Sequence, residues 1–254
     1  VTLLKADHLS MNFGGLRAVD DVSFEVKAGE VYTIIGPNGA GKTTLFNLIG
    51  RIYSPSSGQI VFDGKDITAL PAHRVANLGI ARTFQNIELF EHATVLQNLL
   101  VGRQTHRKSS SLADMLFLPH VRRAEHEHRA VVEQVIDFLN IAHYRDHVVA
   151  GLPYGVRKVV ELARALAMEP RLLLLDEPSS GLNPEERGDM AFWIEDLRRD
   201  LGITVLMVEH DMGLVSRVSD RVLALNAGRV IAEGTPSEVQ RHPEVVAAYL
   251  GQPT

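Results

Sequence analysis

The sequence predicts an α/β fold interrupted by a helical insert. Three observations carry this reading. A glycine-rich segment, GPNGAGKTT (36–44), lies between a β-branched run, VYTII (31–35), and a helix pattern with one apolar face. A second buried-strand pattern, RLLLLD (171–176), opens a further stretch in which strands and helices alternate. Between the two, from about 88 to 168, the pattern is mostly helical.

In chain order, the first eighty residues alternate strand signals with turns. SFEV (23–26) and VYTII are separated by Lys27-Ala28-Gly29-Glu30. A helix follows Lys42, with Leu45, Leu48, Ile49 and Ile52 on one face. QIVFDGKDI (59–67) reads as a hairpin turning at Asp63-Gly64. Within the insert, 103–130 is basic and His-rich, with five Arg and one Lys against three acids. Ser109-Ser110-Ser111 suggests an exposed loop there. His126 and His128, two residues apart on a helix, point away from each other, so a solvated surface is expected rather than a metal site. In LPYGVRKVVELARAL (152–166), Pro153 and Gly155 break the chain, and Val159, Leu162, Ala163 and Leu166 then form an apolar face. The start of this helix is either a plain Pro/Gly beginning or an amino end aimed at an anion. After 170 come RLLLLD, a helix from Pro184 to about Asp200, ITVLMV (203–208), RVLALN (221–226) and RVIAEG (229–234). Asn183-Pro184 with Glu186, and Thr235-Pro236 with Glu238, each supply an N-cap, a first-turn proline and an N3 carboxylate.

Composition narrows the function. Of 254 residues, 45% are hydrophobic and 22% charged, as in an ordinary soluble chain. A net charge of −5 supplies no basic field for nucleic acid or anionic lipid. No cysteine is present, which excludes disulfides, thiolate zinc sites and thiol catalysis. Apolar runs such as Ile203 to Val208 are too short to span a bilayer. The amino terminus, VTLLKADHLS, has no signal-peptide pattern. Work at a membrane would need another chain to supply the span.

The chemistry starts at GPNGAGKTT, which is G-x-x-x-x-G-K-[ST] in a strand–loop–helix setting, a P-loop. Glycines let successive backbone N–H groups face an anion, and the helix amino end adds a favourable dipole. Lys42 is expected on the β- and γ-phosphates of a nucleoside triphosphate, and the Thr43 hydroxyl on Mg²⁺. In LLLLDEP, Asp176 would hold Mg²⁺ through its water, and Glu177 would accept a proton from an attacking water. Alone, the two acids read equally well as a solvated strand end; beside a P-loop the catalytic reading prevails. His210, closing the next strand in VEHD, suits a γ-phosphate sensor. Gln85, in RTFQ, suits a metal ligand that also orients water.

Taken together and in order, GPNGAGKTT, RTFQ, LPYGVRK, LLLLDEP, SSGLNP and VEHD resemble the nucleotide-binding subunit of ABC transporters, over essentially the whole chain. The resemblance implies a P-loop NTPase (RecA-like) core with an antiparallel β subdomain, residues 1–87 and 169–254. It implies an inserted α-helical subdomain, 88–168, carrying the family signature. Its cofactors would be ATP and Mg²⁺, with Asn38, Gly39, Ala40, Gly41, Lys42, Thr43 and Thr44 around the phosphates. Phe13 would stack on adenine, with Val19 beside the ribose. Thr43, Gln85 and Asp176 (through water) would serve the metal, and Gln85 would link that site to the membrane partner. His210 would be the switch histidine. Two such subunits, identical or different, would stack head to tail. Ser180 to Asn183 would then touch the opposite subunit. Leu152, Pro153, Tyr154, Gly155 and Val156 stand where the family has Leu-Ser-Gly-Gly-Gln. Pro153 has neither hydroxyl nor N–H, so the backbone N–H groups of Gly155 and Val156 would carry the contact to the other subunit's γ-phosphate.

GGLRAVDDVSF, RTFQNIELFEHATVLQNLLVG and HPEVVAAYLG resemble, more narrowly, ATPase subunits of branched-chain amino acid importers. Urea and amide importers and lipopolysaccharide exporters are similar. Non-transport ABC ATPases usually carry a long coiled coil or two fused cassettes, and this chain has neither. The resemblance implies a cytoplasmic protein, peripheral on the inner face of the cell membrane, with permease subunits docking near 85–102 and no nucleic acid partner. There Leu89, Phe90, Val95 and Leu99 are either exposed for that contact or fill the insert's own core.

Overall fold

The computed structural model describes residues 1–106 and 119–250; Ser109-Ser110-Ser111 lie outside them. The chain divides into two units, one of Val1–Gln85 and Arg171–Thr254, the other of Asn86–Pro170. In chain order the first unit begins with β1 (Thr2–Phe13), β2 (Leu16–Lys27), β3 (Val31–Ile35), α1 (Lys42–Ile49), β4 (Ser57–Phe62), β5 (Lys65–Asp66), α2 (Ala72–Ala76) and β6 (Ile80–Arg82). The second unit holds α3 (Val95–Gly102), α4 (Pro119–Phe138) and α5 (Tyr154–Leu166). The first unit then resumes with β7 (Leu172–Asp176), α6 (Pro184–Arg199), β8 (Thr204–Val208), α7 (Met212–Val218), β9 (Arg221–Asn226), β10 (Arg229–Gly234), α8 (Pro236–Arg241) and α9 (Pro243–Leu250).

Two sheets build the first unit. One is antiparallel, in the order β2-β1-β4-β5. The other runs β10-β9-β3-β8-β7-β6, and all its neighbours are parallel except β9 with β10. β3, β7 and β8 are buried at every residue, as strands covered on both faces must be. Leu45, Phe46, Leu48 and Ile49 of α1 share one core with Leu4, Leu9 and Phe24 of the first sheet and Ile34, Leu206 and Leu223 of the second. Parallel strands place their carboxyl ends on one edge, where open α/β sheets bind ligands.

β1 was not legible as a strand. Its buried residues, Leu3, Leu4, Ala6 and Leu9, break the period of two. The cause is local: the β1–β2 register shifts between Ala6 and Leu9, with His8 (φ 50°) and Asp21 (φ 57°) in left-handed conformations. The helix after Lys42 ends at Ile49, so Ile52 is not on its face and is 48% exposed. The predicted turn at Asp63-Gly64 holds, and Ala227-Gly228 forms a second; both pairs have positive φ throughout, which suits two-residue hairpins.

In the second unit, Thr94 and Gln97 form a capping box at the start of α3. A Cβ on Gly102 would lie 2.4 Å from the Arg164 carbonyl oxygen, so α3 crosses α5 at glycine distance. The apolar face of α5 is buried as expected, but Lys158, Val160, Glu161 and Ala165 are buried too. α5 is therefore a central helix rather than a one-faced one. Val95 and Leu99 are fully buried, whereas Phe90 is 58% exposed, so the two readings of that apolar group divide by residue. His126 is exposed, and His128 Nδ1 accepts from Arg103 Nε at 3.3 Å.

The caps at Asn183 and Thr235 form as expected, each with a reciprocal carboxylate, Glu186 and Glu238. Replacing Thr235 by Ala should lower unfolding free energy by about 1 kcal/mol, read as a shift in the urea midpoint at unchanged slope.

Candidate nucleotide and hydrolysis site

The loop from Gly36 to Gly41 joins β3 to α1. Its path depends on two missing Cβ atoms: one on Gly36 would lie 2.3 Å from Leu225 O, and one on Gly41 2.4 Å from Ala18 O. Gly36, Gly39 and Gly41 all have positive φ. Gly228 N donates to Ala40 O at 3.0 Å, pinning the loop from outside. α1 begins at Lys42 with Gly41 as N-cap and no side-chain cap. The N–H groups of Lys42, Thr43 and Thr44 therefore have no acceptor within the helix, the arrangement an anion completes. Asn38 and Gly39 are exposed at the tip. Lys42 Nζ donates to Gly36 O (2.7 Å) and Pro37 O (3.0 Å), so the ammonium bends over its own loop. Burial lowers its pKa, while the carboxylates of Glu177 and Asp176 oppose that shift.

Those carboxylates sit at the end of β7. Asp176, its last residue, is buried and ion-paired with Arg82 Nη2 at 2.8 Å. Glu177 lies just past the strand with φ 49°, an unfavourable conformation for a side chain, held by Glu177 N donating to Val208 O at 2.9 Å. Its Oε2 accepts from Gln85 Nε2 at 3.3 Å and faces His210 Nδ1 at 3.8 Å. His210 is 56% exposed at the side chain, open to a ligand. One cluster thus joins Lys42, Gln85, Asp176, Glu177 and His210.

Phe13, at the end of β1, is 42% exposed and packs edge-on against Tyr53, with centroids 5.4 Å apart. Val19 is fully buried. It belongs to the core beneath the loop and offers no surface to a ribose, which corrects the expectation above. Ser180 N donates to Glu177 O at 3.1 Å, so that loop leaves the carboxylate directly. Asn183 spends Oδ1 on Glu186 N at 3.0 Å as the cap of α6. Leu152 to Val156 belong to the second unit. There Pro153 is the N-cap of α5 and has no side-chain acceptor, Leu152 and Gly155 are buried, and Tyr154 is 40% exposed.

The donors fit the expected cofactors. Thr43 is exposed, and the oxygens of Thr43, Gln85 and Asp176 are hard ligands of the kind Mg²⁺ takes, alongside phosphate. Among the described residues no cluster of three His, Asp or Glu side chains forms a metal site by itself.

Three residues went unnoticed in the sequence. Arg82 ends the short apolar strand β6, and a charge so placed needs a buried acid. Tyr249 of α9 accepts from Gly36 N at 2.9 Å through its hydroxyl; nothing local marks it. Glu209 in VEHD is fully buried, with the Ser179 hydroxyl donating to its Oε1.

Comparisons with known proteins agree with this geometry. A family model described as ABC transporter matches residues 19–180, and one described as branched-chain amino acid ATP-binding cassette transporter matches residues 229–253. The chain is 41% identical over 250 residues to the high-affinity branched-chain amino acid transport ATP-binding protein BraF of Pseudomonas aeruginosa, covering 98% of each. It is 38% identical to the corresponding protein LivG of Escherichia coli, again over 98% of each. Among solved structures it is similar to a nucleotide-free ATP-binding cassette from an ABC transporter, with TM-score 0.87 and 32% identity over 99% of this chain and 100% of that one. It is equally similar to the ADP conformation of such a cassette, with TM-score 0.86 and 32% identity over 99% and 100%.

Burial pushes the Glu209 carboxyl above its ordinary value of 4.5, against the Ser179 hydrogen bond and His210. The folded state therefore holds this proton more tightly than the unfolded chain does. That stabilisation is complete below the unfolded value and is lost as pH rises through the folded one. Glu209→Gln has no proton to lose. Its melting temperature relative to the parent should climb as pH rises above the ordinary glutamate range, followed by thermal melts.

Proposed function

This chain belongs to the ABC transporter family, and from that premise we propose that it is the ATP-hydrolysing subunit of an importer for branched-chain amino acids. The observation that carries the hydrolytic part is Glu177: one residue beyond Asp176, held in a strained conformation, with its Oε2 between Gln85 and His210. That is where a proton acceptor for water is needed. The cargo rests on the relatives' names and on the match at residues 229–253.

In this reading the N–H groups of the loop and Lys42 grip the β- and γ-phosphates, and Phe13 stacks on the base. Thr43, Gln85 and, through water, Asp176 would hold Mg²⁺, which when bound would offset phosphate charge. Water attacks the γ-phosphorus as its bond to the bridging oxygen of ADP breaks. Glu177 takes the water proton, and His210 hydrogen-bonds the γ-phosphate. Before that step, a second copy or a related ATPase closes over the nucleotide with the amino end of its own α5. Pro153 supplies no side-chain cap to the amino end of α5, which supports this, since a helix amino end suits an anion. Backbone groups suffice there, so the missing serine and glycine of the usual signature do not abolish the contact.

Among the described residues no helix is long and apolar enough to cross a membrane. Other subunits supply the span, and we place their contact near 85–102, where Phe90 is exposed. The protein then sits on the inner face of the cell membrane.

Glu177→Gln tests this reading. With ATP and Mg²⁺ the variant should run at twice the monomer mass in gel filtration and hydrolyse ATP at least about 100-fold more slowly than the parent. A variant that stays monomeric at saturating ATP, or turns over at the parent's rate, rejects it.

A further inference from the structure

We propose that Arg82 is a positioning residue that sets the separation of Thr43 and Asp176, and through it the divalent-cation requirement of hydrolysis. The proposal rests on the function given above and concerns a side chain that touches neither nucleotide nor water in that scheme.

The geometry is that of a clamp. Arg82 Nη2 donates to Asp176 Oδ2 at 2.8 Å, and Nη1 donates to Asn47 Oδ1 at 2.6 Å. The guanidinium lies over Phe46 at 4.9 Å and near Phe84 at 5.3 Å. The pair is nearly closed to solvent, with side-chain exposures of 12% and 3%. Arg82 Nε is buried and meets no acceptor among the described residues. One hydrogen bond is forgone while the two outer nitrogens and the rings fix the pose.

What the clamp connects gives it a function. Asn47 stands four residues after Thr43 on α1, so both lie on one face of that helix, a turn apart. Asp176 ends β7. A single planar cation therefore ties the helix that presents Thr43 to the strand that presents Asp176. Arg82 also ends β6, three residues before Gln85. The strand end that holds Asp176 through Arg82 holds Glu177 through Gln85. Arginine suits the task because its fork reaches two acceptors at once, whereas a lysine keeps the charge and loses the second arm.

The test compares the parent with Arg82→Lys, Arg82→Met and Asn47→Ala. ATPase is titrated with Mg²⁺, and binding of a fluorescent ATP analogue is measured in EDTA and in Mg²⁺. Arg82→Met should raise the half-maximal Mg²⁺ concentration by about tenfold or more, the usual effect of losing a group that orients a metal ligand. Its affinity for the analogue in EDTA should match the parent's. Arg82→Lys and Asn47→Ala should shift the Mg²⁺ dependence in the same direction by less. An unchanged Mg²⁺ dependence in Arg82→Met overturns the proposal. So does an equal loss of affinity in EDTA and in Mg²⁺, which would make Arg82 a fold-stabilising residue only. If Arg82→Met does not fold, unshifted Mg²⁺ curves for both Arg82→Lys and Asn47→Ala overturn it instead. A parent that neither binds the analogue nor hydrolyses ATP rejects the proposed function, and this inference with it. An active parent with unshifted variants rejects this inference alone.

Discussion

The loop after β3 fits its place only because Gly36 and Gly41 lack side chains. One glycine lies against the backbone of β9 at Leu225, the other against β2 at Ala18. The two strands come from different sheets, so the antiparallel layer and the mixed layer meet at this loop. The β9–β10 hairpin tip adds a third restraint: Gly228 N reaches Ala40 O, and Asp20 N reaches Gly228 O at 2.8 Å. A backbone held this closely keeps its N–H groups aimed without any bound anion to organise them. The rest of the site is placed relative to that rigid cradle, because β7 and β8 run parallel to β3 and end on the same edge.

Three carboxyl groups near that edge show how environment separates like residues. Asp176 is buried with a cation. Glu177 is half-buried, in a strained backbone, between an amide and an imidazole. Glu209 is buried against a hydroxyl, and desolvation favours its protonated form. An ion-paired carboxylate, a partly exposed one and one whose protonated form burial favours are thus set apart by surroundings, not by residue type.

In the helical unit, burial on every side leaves the amino tip of α5 as its main exposed feature, with Tyr154 on the surface. The same helix grips the segment that follows Gln85: Arg164 donates to Glu88 O, and Arg157 lies 3.9 Å from Glu91. Asn98, fully buried, accepts from Phe90 N at 2.9 Å and donates to Phe90 O at 3.1 Å. A membrane subunit pressing on Phe90, as we propose, would act on a segment fastened to α3 and α5.

The P-loop, the two acids after the leucine run, and the capped helices at Asn183 and Thr235 were all legible along the chain. Each is a local pattern whose physics lies within a few residues: a glycine's φ, a cap's reach, a strand's period. Resemblance of the motif series extended that reading to the family. Where two distant segments meet, local patterns were silent or misled. β1 hid because a bulge broke its period, and Ile52 fell outside its helix because the chain turns left-handed at Arg51. Val19 lay in the core because β2 folds under the loop, and Phe90 parted from Val95 only once α3 was packed. Arg82, Glu209 and Tyr249 take their meaning from partners 94, 30 and 213 residues away in the chain. The sequence by itself determined which groups could bind phosphate and accept a proton. The tertiary structure decided which carboxylate is ion-paired, which is partly exposed and which is buried against a hydroxyl, because burial and ion pairing depend on neighbours that only folding brings together.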